Sequence, residues 1–300
     1  MKLKERLTPA LLVSESFFPL LGDEVRLLDA VERAVDSGFY TRLEISAMKT
    51  RQGRQRLREI ARRYGLQITQ WITNDLNELQ LNPSAVESPL REKTIAKMRE
   101  LAEVAADSGA DRMAFISGRD PGAAMRQEAA RGLTQVMCAV AEKAMDCGLT
   151  LLLEPLDRGA HKDNFIGPTP EAVAILREVH QSQPNVLLSW DSAHVALNRE
   201  DLQMSLALAM PYVGQLHLAN AVLEREDPQF GDWHMPMGQP GFLTEETAYA
   251  IGSCAVLHLN EGEHLGITVE SRCTSEHEIW EREDQNRRFL ERVLEREVCL

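Results

Sequence analysis

The sequence has no CxxC pair, no apolar run long enough to span a membrane, and no excess of positive charge. Each absence removes a class of protein. The five cysteines (Cys138, Cys147, Cys254, Cys273 and Cys299) are odd in number, which argues against a disulfide framework or a cysteine-built zinc site. They read as reduced thiols of a cytoplasmic protein, mostly packed as small apolar residues. A membrane helix needs roughly 18 consecutive apolar residues, and no segment approaches that. The opening MKLKERLTPALLVSESFF lacks an uninterrupted apolar stretch of signal-peptide length. Acidic residues number 46 against 33 basic ones, a formal charge of −13. Proteins that grip phosphate backbones cluster Lys and Arg, so the balance argues against a nucleic-acid partner. No linker, repeat or low-complexity tract divides residues 1–300, so one domain is the simplest reading.

What the chain does have is a steady alternation. Short β-rich runs are expected at 10–16, 40–46, 66–72, 111–117, 149–155, 185–191, 213–219 and 266–271. Between them lie stretches with apolar residues near i, i+3, i+4 and i+7, the helical period. Gly38, Gly65, Gly109 and Gly148 each follow a helical pattern and precede a strand, where glycine supplies the left-handed turn that ends a helix. Eight strands alternating with helices predict an α/β protein, a single (β/α)8 TIM barrel. The weakest helix is TEETAYAIGSCAVLHLN, with a glycine inside it. A long irregular stretch, 220–241, follows the seventh strand, and loops of that length are uncommon unless functional.

Four ligand-type residues stand at or beside the ends of the last four strands: Glu154 (TLLLEPLDR), Asp191 (NVLLSWDSAH), His217 (VGQLHLAN) and Glu270 (GITVESR). Any one alone reads equally well as a buried polar group paired with Arg, Lys or backbone. Four in succession point to a shared site, because a carboxylate ending an apolar strand is costly to desolvate without a partner. In a barrel these positions converge at the C-terminal mouth. Mixed oxygen and nitrogen donors suit one divalent metal ion: Mn, Mg, Co or Zn.

LLLEPLDR, WDSAH, LHLAN and VESR resemble the metal-binding strand ends of the xylose-isomerase-like TIM barrel superfamily. That superfamily includes ketose 3-epimerases, hydroxypyruvate isomerases, inosose dehydratases and type IV apurinic endonucleases. The resemblance implies that Glu154, Asp191, His217 and Glu270 hold one ion, and that Glu154 and Glu270 also move protons on either face of an enediolate. His194 matches the D-x-x-H spacing of the superfamily, whose histidine contacts substrate or a further metal. Asp232 and His234 in GDWHMP match the endonucleases' D-x-H pair, and here bind metal or substrate or close the loop. Glu44 resembles a substrate-contacting glutamate of the sugar-isomerase branch. There are departures. No histidine precedes His161, so a trinuclear cluster lacks ligands. Leu223 and Ala160 stand where 3-epimerases place an arginine and a glutamate.

Arg272, two residues past Glu270, alternates back to the same face and serves either a substrate oxygen or a structural ion pair. His161 and Lys162 are expected in a solvated loop, with reach to a polyol or phosphate as the alternative. Trp71, Trp190 and Trp233 lie near strand ends or the long loop, and at least one is expected to be packing. These residues define the expected function: a metal-dependent sugar or polyol isomerase or epimerase that abstracts a proton next to a carbonyl. Alternatives on the same scaffold are a keto-sugar dehydratase or lyase, or a non-catalytic sugar-binding barrel. The expected partner is a small sugar or polyol, with self-association into a homo-oligomer left open.

Overall fold

Residues 1–298 are described in the computed structural model, so the expectation for Cys299 lies outside the described residues. The other four cysteines are free thiols. Eight strands pair in chain order, each parallel to the next, and the eighth returns to the first. They are β1 (Leu7–Leu12), β2 (Arg42–Ser46), β3 (Gln67–Trp71), β4 (Arg112–Ile116), β5 (Thr150–Glu154), β6 (Val186–Asp191), β7 (Val213–Ala219) and β8 (Leu265–Glu270). The expected (β/α)8 barrel is the one observed.

Alternation along each strand separates two environments. Leu43 and Ile45, Met113 and Phe115, Leu151 and Leu153, Leu216 and Leu218, and Ile267 and Val269 are buried in two apolar clusters formed with the surrounding helices. Helices Glu24–Val35 and Arg51–Tyr64 serve the β1–β3 side. Helices Ser88–Asp107, Arg126–Asp146, Thr169–Val179, Leu202–Ala209, Glu245–His258 and Ile279–Leu294 cover the remainder. Gly65 ends its helix at φ 68°, and Gly38, Gly109 and Gly148 have the same left-handed sign. The doubtful helix over the TEETAYAIG segment forms. Its internal Gly252 lies so close to Leu3 that a Cβ would sit 2.9 Å from Leu3 Cδ1.

The first strand differs from expectation. The run at 10–16 reads as a strand, but β1 starts at Leu7, and Val13–Ser16 is a helical turn. Pro9 disguises the start, because proline is disfavoured in strand interiors. The apolar Val13 disguises the end. The consequence is functional: the turn carries Ser14 and Glu15 into the barrel mouth.

Polar groups occupy the inward face. Near the floor, Arg42 donates to both carboxylate oxygens of Asp111 (2.8 Å each) and to Gln67 Oε1 (2.7 Å). Arg112, whose pKa burial lowers to about 10, donates to the Gly214 carbonyl at 2.7 Å. Gly266 leaves room for Gln215, since a Cβ there would collide with that side chain. Above, the β6–β7 register shifts between Leu188 and Ser189, after which Asp191 pairs with His217. Such an irregularity re-aims side chains near a site, and here it sets two candidate ligands side by side.

Candidate metal centre

Glu154, Asp191, His217 and Glu270 come together at the mouth, one ligand atom from each lying within 4.8 Å of every other. His217 sits at the centre. Its Nδ1 is 2.7 Å from Glu270 Oε2 and 3.3 Å from Glu154 Oε1. Asp191 ends β6 and caps the helix Ser192–Leu197, its Oδ1 accepting the N–H groups of Ala193 (2.8 Å) and His194 (3.0 Å). Its Oδ2 is buried with no hydrogen-bond partner. A buried, unpartnered carboxylate oxygen costs free energy unless something completes it. Together with a histidine nitrogen and two further carboxylates, that oxygen fits a divalent cation.

Charge in this cluster is strongly perturbed. Burial raises Asp191 to about 7 and also raises Glu154. Burial would raise Glu270 too, but hydrogen bonds from His217 and His234 hold it well below the usual range. Burial alone would neutralise His217; the surrounding Glu44, Glu154 and Glu270 instead hold it charged.

Glu44 lies elsewhere than the substrate contact expected of it. It is fully buried beneath the His217 ring. Its Oε2 accepts His217 Nε2–H (3.0 Å) and Trp71 Nε1–H (3.1 Å), and its Oε1 accepts the Gln215 amide (2.9 Å). With both oxygens so engaged, Glu44 does not line the cavity; it orients His217 so that Nδ1 faces the cluster. A carboxylate behind a ligand histidine is the usual supporting arrangement of metal sites.

His194 is buried in the cavity wall. Its Nδ1 is 3.1 Å from Asp157 Oδ2, leaving Nε2 directed toward Asp232 Oδ2 at 3.8 Å. Asp157 was missed in the sequence. Its other oxygen accepts the backbone N–H groups of His161 (2.5 Å) and Lys162 (2.9 Å), so one carboxylate fixes both the loop after β5 and the His194 ring. The His194 hydrogen bond and charge, with those backbone bonds, outweigh burial and hold Asp157 at about 2, while Asp191 and Asp157 outweigh burial and raise His194 to about 10. The solvated loop expected at His161 and Lys162 is not what forms. Lys162 Nζ turns inward, 3.1 Å from both Asp232 Oδ2 and His234 Nε2. His161 stacks on the exposed Trp233 with ring centroids 4.2 Å apart.

The long loop after β7 is anchored by Asn220, whose amide donates to the carbonyls of Pro236 and Gly238 (2.7 Å each). It delivers Asp232 and His234, the latter at φ 52°, a backbone strain typical of functional positions. His234 Nδ1 is 2.7 Å from Glu270 Oε1. Arg272 donates to both oxygens of Glu15 (2.6 and 2.9 Å), so the ion-pair alternative describes it, at the cavity edge. Glu15, His234 and Glu270 form a second group of appropriately close ligand atoms, although the Arg272 pair already engages Glu15. Trp190 is packed in the core with its N–H on Ser205, whereas Trp71 lines the cavity.

These side chains surround a cavity of about 290 Å3, reached also by Ser14, Ser46, Thr73, Asn74 and Asn77 from the β1–β3 side. That volume lies at the small end of the range for small-molecule pockets. One side of the cavity is ionic; the other is neutral and hydrogen-bonding.

The chain has counterparts among known proteins. A family model described as xylose isomerase-like TIM barrel matches residues 28–251. The 2-oxo-tetronate isomerase of Cupriavidus necator is 27% identical over 143 residues, covering 48% of this chain and 53% of the relative. The chain thus spans about half the length of the curated relative it matches. D-allulose 3-epimerase from Methylomonas sp., in complex with D-allulose, superposes with a TM-score of 0.72 at 17% identity, over 96% of this chain and 97% of that one. The IOLI protein, solved with a bound zinc atom, superposes at 0.66 and 13% identity, over 88% and 92%. Identities this low speak to the fold, which is that of sugar epimerases and isomerases. With the family model spanning most of the barrel, the chain belongs to the xylose isomerase-like TIM barrel family.

Proposed function

We propose that this protein is a divalent-metal-dependent sugar isomerase or epimerase that acts by proton abstraction next to a carbonyl. The observation that carries the reading is the unpartnered Asp191 Oδ2 inside a cluster that Glu154, His217 and Glu270 complete at the barrel mouth. A divalent cation held by these four residues would supply positive charge to the carbonyl and hydroxyl oxygens of the substrate as an enediolate develops.

The chain's own groups do the remaining work. Glu154 and Glu270 approach from β5 and β8, and in this reading they flank a sugar held over His217. One takes the proton from the carbon next to the carbonyl. Returning it to the neighbouring carbon isomerises the sugar; delivery to the opposite face by the second carboxylate epimerises it. Lys162 and His194 line the same cavity and are placed to hold substrate oxygens. Glu44 and Asp157 position His217 and His194.

Metal analysis tests the foundation. Wild-type protein is expected to bind about one Mn²⁺, Co²⁺ or Zn²⁺ per chain, and His217→Ala to lose most of it while keeping the barrel's circular dichroism. Full occupancy in that variant would remove His217 from the ligand set and undermine the reading.

A further inference from the structure

Beyond the 290 Å3 cavity, a second and larger space of about 760 Å3 opens over the β2–β3 side of the barrel. The two share Ser46 and Asn74 in their walls, so they adjoin there. We infer that the substrate is a glycosyl ketose, with the keto-sugar unit in the inner cavity and a second, neutral sugar unit in this outer groove. The inference rests on the isomerase or epimerase reading and names its substrate class.

Three observations support it. The inner cavity has room for a single sugar unit, whereas the two spaces together reach the upper end of the small-molecule range. The inner cavity's wall, through to the Ser46 and Asn74 it shares with the groove, carries neutral polar side chains that have no internal work. Ser14, Ser46, Asn74 and Asn77 make no side-chain hydrogen bond among the described residues, and the buried Thr73 Oγ1 also has no partner. Hydroxyls and amides both donate and accept, as sugar hydroxyls require. The groove's charge then selects among extensions. Asp23, Glu24, Asp75 and Glu78 face it against only Lys49 and Arg56. Both cations are already paired: Lys49 with Glu78 at 3.6 Å, and Arg56 with Asp29 at 2.5 Å.

A phosphate would favour the N-terminus of the helix Arg51–Tyr64. That place is already taken by Glu24, whose carboxylate accepts the Lys49 and Thr50 N–H groups at 2.5 and 3.3 Å. A neutral glycosyl unit is the extension this lining accepts.

The test uses the metal-loaded enzyme with D-fructose, fructose 6-phosphate and the glucosyl-fructoses maltulose and isomaltulose, followed by NMR in D₂O. Gly22→Trp serves as the blocking variant. Gly22 lines the groove, its φ lies outside the left-handed region, and a Cβ there meets nothing within 4 Å. Wild type is expected to process at least one glucosyl-fructose with kcat/KM about tenfold or more above both smaller substrates. In Gly22→Trp that preference should disappear while activity on free fructose stays within about twofold. Saturation-transfer NMR should show contact to both sugar units in wild type. Preference for free or phosphorylated fructose, contact confined to the ketose unit, or an unchanged preference in Gly22→Trp would overturn the inference and leave the isomerase reading intact. Two-unit contact with no exchange or turnover of any sugar would instead sink the isomerase reading, and with it the substrate assignment.

Discussion

Replacing Glu44 by Gln removes one negative charge behind His217 while preserving shape, and the surroundings can absorb the change. With the new amide oxygen at the Oε2 position, the bonds from His217 Nε2–H and Trp71 Nε1–H survive. The new NH₂ then faces Gln215, whose Oε1 is buried without a partner and can be turned toward it by an amide flip. Geometry is therefore kept and basicity at His217 Nδ1 is lost. Removing such a supporting carboxylate typically weakens metal binding 10–100-fold, or about 1.4–2.7 kcal/mol. Glu44→Leu is different, because it strands three buried donors at about 1–3 kcal/mol each, and is expected to lower the melting temperature markedly. Chelator-competition titration of Mn²⁺ on wild type and Glu44→Gln, alongside thermal melts, separates the two effects. Unchanged affinity in a folded Glu44→Gln protein would refute the supporting role assigned to Glu44.

Further outcomes follow from the same geometry. His217 is held charged, and Asp191 and Glu154 are raised, so ligation must displace protons; metal affinity should fall as pH falls, with proton release seen by calorimetry in buffers of different ionisation enthalpy. pH-independent affinity between pH 6 and 8, without proton release, would contradict those protonation states. Asp191→Asn should keep the helix cap and the fold but lose most metal, whereas Asp191→Ala should lose both metal and about 1 kcal/mol of stability. Equal metal content in wild type and Asp191→Asn would show that Oδ2 is not a ligand. Purified protein should not incise abasic DNA, given the charge of −13 and the lack of any histidine before His161. Incision lost on Glu270→Gln would reverse that expectation.

The barrel was legible because its strands are short apolar runs between strong helical periods, and because ligand-type residues interrupt apolar runs where burial otherwise forbids them. Glu154, Asp191, His217 and Glu270 could be read for that reason, and the structure brings them together. Glu44's position could not be read. Its relation to His217 runs across the interior between β2 and β7, strands that are not neighbours. Glu15 was hidden because ALLVSES has strand-like composition over a helical turn. Lys162 sits in a polar loop whose sequence looks solvated; Asp157 and the distant Asp232 and His234 turn it inward. The missed features depend on contacts between separate segments, and local periodicity carries no record of those.

The proposed function turns on proton transfer next to a carbonyl by Glu154 and Glu270. Its most direct measurement is deuterium incorporation from D₂O into ketose substrates, in wild type and in Glu154→Gln and Glu270→Gln compared at matched metal occupancy. Wild type should incorporate deuterium at a carbon next to the carbonyl without loss of water. Each variant should lose about 10²–10⁴-fold in rate with little change in binding. Wild-type rates in the fully metallated variants, or a product lighter by one water, would contradict the account.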